Sequence, residues 1–126
     1  MPAKKITAVI IEDSEVDLWL LTFMLKKIGN IEILNVAKTG PDGIRLIEKY
    51  KPMMIFLDLD LPGASGIEIA RIIRNKKIES NIVFVTAFEQ YAEEVKEFEP
   101  FDYLVKPLSP EILIQMLNRY RSEFKG

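Results

Sequence analysis

Residues 6–14 read Ile-Thr-Ala-Val-Ile-Ile-Glu-Asp-Ser. A short, continuous apolar run rich in β-branched residues is what a strand buried on both faces requires. The run stops on two acids, Glu12 and Asp13, and a helical pattern begins at once. Asp13 or Ser14 caps that helix, Val16, Leu20, Phe23, Met24 and Leu25 give it an apolar side, and Gly29 ends it. A strand buried on both faces and followed directly by a helix belongs in a sheet covered on both sides.

The same alternation continues outward from this stretch. Ile31–Ala37 is a second strand, and Gly40-Pro41 opens a second helix with Ile44 and Ile47 facing inward, stopped by Pro52. Met53–Leu57 is a third apolar strand, followed by the Pro- and Gly-rich loop Asp60–Gly66 and a helix over Ile67–Arg74. Ile82–Val85 is a fourth strand, Gln90–Phe98 a short acidic helix, and Tyr103–Val105 a fifth strand. Ser109 caps a last helix with Pro110 at its first position. Five strand-helix units with short connections predict an α/β, doubly wound, five-stranded parallel sheet with five helices. No repeat, low-complexity stretch or interdomain linker interrupts the chain, so residues 1–126 are expected to form one domain.

Composition narrows the function. With 17 basic and 19 acidic residues the net charge is −2, which offers no electrostatic footprint for direct nucleic-acid binding. The absence of Cys excludes disulfides and thiolate metal sites, and the absence of His excludes a phosphohistidine on this chain and removes the commonest general base. Ile6–Ile11 is too short for a signal h-region or a transmembrane span. The expectation is a cytoplasmic protein that makes no use of a membrane.

Ligands of open α/β sheets bind at the carboxyl ends of the strands. The first strand ends on Glu12 and Asp13, the third on Asp58, the fourth on Thr86 and the fifth on Lys106. The second, which reads as an edge, ends on nothing ionic. Each residue alone has an ordinary explanation. Asp13 serves as a helix cap, Asp58 and Asp60 before Pro62-Gly63 as turn formers, Thr86 as a strand residue, and Lys106 as a solvated loop residue. Together they place three acids, a hydroxyl and a cation at one edge. Carboxylates brought close repel one another unless a cation sits among them. Oxygen ligands without His or Cys select a hard ion, and one that keeps several waters suits Mg²⁺. A carboxylate, a lysine and a hydroxyl converging beside Mg²⁺ make a phosphoryl site with a carboxylate as nucleophile.

Four motifs carry a family resemblance over nearly the whole chain. They are Glu12-Asp13; Leu57-Asp58-Leu59-Asp60-Leu61-Pro62-Gly63 with Gly66; Val85-Thr86-Ala87; and Asp102-Tyr103-Leu104-Val105-Lys106-Pro107. In this order, each at the end of an apolar run, they resemble the receiver domain of bacterial two-component response regulators. Phe84–Phe88 with Phe101-Asp102-Tyr103 looks most like receivers that precede LytTR-type DNA-binding domains. The resemblance implies a flavodoxin-like sheet of order 2-1-3-4-5, which sets the first and third strands side by side. It implies Asp58 as phosphoacceptor, a Mg²⁺ ligated by Asp13, Asp58 and the Asp60 backbone carbonyl, and Glu12 acting through a metal-bound water. It also implies that Thr86 and Lys106 meet the phosphoryl group, that Tyr103 is a switch residue turning inward as Thr86 moves, and that Pro107 follows a cis bond. The family often has two aspartates where this chain has Glu12-Asp13, and the longer Glu12 arm still reaches a water. Asp60 and Phe88, each two residues past a site residue, are placed to influence dephosphorylation.

The implied phosphodonor is a sensor histidine kinase or a phosphotransfer protein, and the chain is then a phosphoacceptor rather than a turnover enzyme. Competing readings are a receiver fragment of a larger transcription factor, a degenerate receiver that only binds a partner, and a small aspartate-based phosphatase of the haloacid dehalogenase type. The last places its Asp-x-Asp after the first strand, whereas here that motif follows the third. For output, Phe88, Tyr91, Phe98, Phe101 and Tyr103 cluster around the short helix and the fifth strand, although Tyr91, Val95 and Phe98 also have core spacing. Glu89, Glu93, Glu94, Glu97 and Glu99 ring that helix, while Arg119 and Arg121 lie on the last. Opposite charges on adjacent helices predict weak self-association as a homodimer about a two-fold axis, or partner binding, through the fourth helix, fifth strand and fifth helix, strengthened by phosphorylation and weakened by salt.

Overall fold

A computed structural model describes residues 5–124. The expected domain, 1–126, extends at both ends beyond the described residues. The strands are β1 (Ile6–Ile11), β2 (Ile31–Ala37), β3 (Met54–Leu57), β4 (Asn81–Thr86) and β5 (Asp102–Val105). All pair in parallel, in the order β2-β1-β3-β4-β5. The α-helices are α1 (Glu15–Ile28), α2 (Gly40–Tyr50), α3 (Gly66–Asn75) and α4 (Pro110–Glu123).

The sheet divides two apolar layers by simple alternation. Val9, Ile11, Ile55, Leu57, Ile82 and Phe84 face α2 and α3, meeting Ile44, Ile47, Ile69 and Ile73. Ala8, Ile10, Met54, Phe56, Val83 and Val85 face the opposite way, toward Leu21 and Leu25 of α1 and Leu113, Met116 and Leu117 of α4. β3 is buried along its whole length, as the centre of a doubly covered sheet must be. The β1–β2 register shifts between Ala8 and Val9, a bulge that leaves Leu34 without a partner between Ile33 and Asn35.

Each α-helix starts where a hydroxyl can cap it. Ser14, Thr39, Ser65 and Ser109 accept hydrogen bonds from the amides of Asp17, Asp42, Glu68 and Ile112. Ser14, not Asp13, therefore caps α1, which leaves the Asp13 carboxylate at the strand edge. Gly29, at φ 84°, terminates α1 in backbone space that glycine occupies without strain.

Two expectations need correction. The α1 side holding Val16, Leu20 and Phe23 faces outward, with 69%, 43% and 47% of each residue exposed, while Leu21 and Leu25 are buried. The helix is apolar around much of its circumference, so periodicity alone could not choose the inward stripe. Outside, Trp19 stacks on Phe23 at 5.2 Å between ring centroids, with the Lys27 ammonium over the Phe23 ring.

The short acidic helix expected at Gln90–Phe98 is instead two 3₁₀ turns, Glu89–Tyr91 and Glu94–Phe98, so the described residues hold four α-helices where five were expected. Neither turn has a side-chain cap. Glu89, Glu93 and Glu97 stand four apart, where like charges oppose an α-helix. The two residues this segment buries, Val95 and Phe98, are three apart, which matches three residues per turn. Tyr91 stays about one-third exposed, outside the core. Arg74 of α3 anchors the segment by donating to the Phe98 carbonyl at 2.8 Å.

The α1 orientation can be checked by mutation. Leu25→Ala should lower the unfolding free energy by about 2–5 kcal/mol. Val16→Ser should change it by less than about 0.5 kcal/mol, both read by urea denaturation. Comparable losses for the two would contradict the observed burial.

Candidate functional site

Because β1 and β3 are neighbours, their carboxyl ends bring Glu12, Asp13 and Asp58 together. One carboxylate oxygen from each lies within 4.8 Å of the others. The Asp58 amide donates to the Ile11 carbonyl at 3.1 Å, so the end of β3 is pinned to the end of β1. Glu12 and Asp58 are buried, at 4% and 5% exposure, whereas Asp13 and Asp60 are exposed. The Asp60 amide donates to Asp58 Oδ1 at 3.1 Å, which fixes the plane of that carboxylate. The Ser14 amide does the same for Glu12 Oε2 at 3.1 Å.

Gly66 lets the loop after Asp58 close over it. A Cβ there would lie 2.2 Å from the Asp58 carbonyl oxygen and 2.7 Å from Leu59 Cα, both backbone atoms that have nowhere to go. The Gly66 amide donates to the Leu59 carbonyl at 2.9 Å.

β5 delivers the cation. The Lys106 amide donates to the Thr86 carbonyl at 2.7 Å, and the Lys106–Pro107 peptide is cis. The Lys106 ammonium lies 2.7 Å from Glu12 Oε1, 2.8 Å from Asp17 Oδ2 and 3.4 Å from Asp58 Oδ2. Asp17 is the residue the sequence reading missed. It passes for an ordinary acid in the first turn of a helix, and its one signal is that it lies a helical turn beyond Asp13.

Thr86 is fully buried at the end of β4, and its hydroxyl accepts from the Phe88 amide at 3.2 Å. The Tyr103 hydroxyl donates to the Phe88 carbonyl. Thr86 and Tyr103 therefore hold opposite ends of one short segment. Glu12, Asp13, Asp17, Asp58, Asp60, Phe88 and Lys106 line a cleft of about 270 Å³. A larger pocket of about 820 Å³, between the C-terminal ends of α2 and α3, lies at the other end of the sheet and contains none of these residues.

Burial and the neighbouring Asp58 push the Glu12 carboxyl up to about 7, against the pull of Lys106 and the Ser14 amide. Burial opposes the charge on Lys106, but its bonds to Asp17 and Glu12 outweigh this and raise its pKa above that of an ordinary lysine. The site thus holds more negative charge than one ammonium offsets. The three carboxylates close enough to share an ion, Glu12, Asp13 and Asp58, offer only oxygen, and Asp13 faces solvent. That set fits a hard divalent cation.

Residues 8–118 match the family model described as the response regulator receiver domain. The chain belongs to the response regulator receiver family. It is 36% identical over 119 residues to the sensory transduction protein LytT of Oceanobacillus iheyensis, covering 93% of this chain and 48% of that protein. It is 35% identical over 103 residues to the LytT protein of Bacillus anthracis, covering 82% of this chain and 42% of that one. This receiver domain therefore spans slightly less than half the length of these curated relatives, and the LytT similarity agrees with the LytTR-associated subtype its motifs resemble. Among solved structures, the response regulatory domain of mrkE from Klebsiella pneumoniae superposes with a TM-score of 0.85 at 29% identity, covering 93% of this chain and 96% of the other. A LuxR-family DNA-binding response regulator from Staphylococcus aureus gives 0.77 at 31% identity, covering 90% and 97%. Receiver domains of two-component systems interact with histidine kinases. No helix among the described residues is long and apolar enough to cross a membrane.

The raised Glu12 carboxyl makes metal-free stability depend on pH. Its folded value, about 7, exceeds the ordinary 4.5, so its contribution is complete below pH 4.5 and is lost as pH rises through 7. Urea unfolding in chelator at pH 5 and pH 8 should show a larger loss for the native chain than for Glu12→Gln. Equal losses would contradict the assignment.

Proposed function

We propose that this chain, as one receiver domain over residues 1–126, accepts a phosphoryl group onto Asp58 from a sensor histidine kinase or a phosphotransfer protein in the cytoplasm. The observation that carries the reading is the position of Asp58. It is buried at the end of β3, its plane is fixed by the Asp60 amide, and it lies within reach of both Lys106 and the Glu12-Asp13 pair. A carboxylate oxygen can serve directly as the nucleophile toward phosphorus. The bond from phosphorus to the donor's leaving atom breaks as the Asp58 oxygen–phosphorus bond forms, leaving an acyl phosphate.

Asp13, Asp58 and the backbone carbonyl of Asp60 would hold Mg²⁺ directly, with Glu12 acting through a water. Once bound, the ion supplies the positive charge that lets a dianionic donor approach three carboxylates and that offsets charge on the transferring oxygens. Lys106 pairs with the phosphoryl group, and Thr86 donates its hydroxyl to it. Withdrawal of the Thr86 hydroxyl removes the acceptor of the Phe88 amide, and Tyr103 responds through the other end of that segment. The face formed by residues 88–98, β5 and α4 then changes packing and passes the signal to a partner or a second copy. Arg119 is spent within the chain, 2.8 Å from Asp102, so intermolecular pairing of this face draws on other groups. The chain takes part in its own phosphorylation and dephosphorylation and turns over no separate substrate.

With Mg²⁺ and acetyl phosphate, the mass of the chain should rise by one phosphoryl group, and Asp58→Asn should take up none. Undiminished labelling of that variant would overturn the reading. Asp13→Asn should keep the fold and lose at least about tenfold in Mg²⁺ affinity by calorimetry, since even indirect support of a metal ligand is worth that much. Equal affinity would remove Asp13 from the metal site.

A further inference from the structure

The Lys106 ammonium has three N–H bonds to give and finds three carboxylates. Glu12 at 2.7 Å and Asp17 at 2.8 Å are close, while Asp58 at 3.4 Å is the longest of the three contacts. Asp17 stands in the first turn of α1, outside the trio of carboxylates that could share a metal ion. Its contact with Lys106 therefore needs a different explanation.

We propose that Asp17 is a positioning residue that parks Lys106 and restrains phosphorylation of Asp58. The inference rests on the reading of Asp58 as phosphoacceptor. An ammonium whose three N–H bonds are committed can meet a phosphoryl oxygen only by releasing one of them. Glu12 has a side chain 5% exposed, so bulk solvent does not reach it to replace Lys106. Asp17 has a side chain 37% exposed, so water takes over its solvation at least cost. Lys106 keeps within reach of Asp58, because the phosphoryl group forms there, so of its two close bonds the one given up is at Asp17: it breaks as Lys106 swings onto the phosphoryl group. Asp17 favours the unphosphorylated arrangement by the strength of one half-exposed ion pair, equivalent to about a two- to fivefold effect on phosphorylation.

The test is a labelling time course on the full chain with acetyl phosphate at saturating Mg²⁺. Asp17→Asn should label about two- to fivefold faster than the native chain, and Asp17→Glu should return the rate toward native. Glu15→Gln removes the same charge from the same helical turn, where Glu15 pairs with Lys38 instead, and should leave the rate unchanged. In a Lys106→Met background, adding Asp17→Asn should have no further effect, since the restraint acts only through that ammonium. Slower labelling of Asp17→Asn, acceleration that persists without Lys106, or acceleration matched by Glu15→Gln would each overturn the proposal. A second readout does not depend on phosphorylation. The Lys106 ammonium resonance of the unphosphorylated chain should shift and exchange faster with water in Asp17→Asn, and an unchanged resonance would overturn the parking contact itself. No labelling of the native chain, with the resonance shifted as expected, would instead remove Asp58 as acceptor.

Discussion

The ends of β1 and β3 bury two carboxylates side by side, and one ammonium from β5 reaches both. Keeping Glu12 charged in this position costs about 3–4 kcal/mol relative to water, taking its rise from 4.5 to about 7 at about 1.4 kcal/mol per pH unit. Acids placed so would be eliminated from an ordinary core. They survive here because the sheet order puts β1 next to β3 and lets β5 send Lys106 past the end of β4. The geometry around them serves this one juxtaposition. The Asp58 amide is tied to β1, the Lys106 amide to Thr86, and Gly66 lets the intervening loop lie against Asp58 without a side chain.

What could be read from the sequence follows from which forces are local. Runs such as Ile6–Ile11 and Met54–Leu57 are apolar because both sheet faces are covered, so strand identity and the acids, hydroxyl and lysine at the strand ends were visible without coordinates. The inward stripe of α1 was not. Val16, Trp19, Leu20 and Phe23 compete with Leu21 and Leu25 for the role of core, and only the fit against β1 and α4 decides between them. The acidic segment after Phe88 has enough helix-favouring residues to look like an α-helix. Its missing cap and its like charges one turn apart become decisive only when two residues, Val95 and Phe98, have to be buried.

Asp17 shows a different limit. Its contact with Lys106 spans 89 residues and depends on how α1 sits against the β5–α4 connection. Neither position is unusual on its own terms: an acid in the first turn of a helix complements the macrodipole, and a lysine before a proline is commonly a loop residue. Charge pairs across elements leave no periodic trace, so the restraint they impose is legible only in the folded chain.

The same arrangement indicates where a local change would spread. Phe88 has its amide on the Thr86 hydroxyl and its carbonyl on the Tyr103 hydroxyl, so one peptide segment senses both β4 and β5. Beyond it, residues 89–98 are held by 3₁₀ turns, by two buried side chains and by Arg74, with no α-helical ladder to resist rearrangement. The central strands are buried on both faces and cannot shift without opening the core. On the proposed reading, charge gained at Asp58 draws Thr86 and Lys106 toward it while the sheet stays fixed. The displacement is then left to a segment without an α-helical ladder, and local stability sets the direction in which the signal travels.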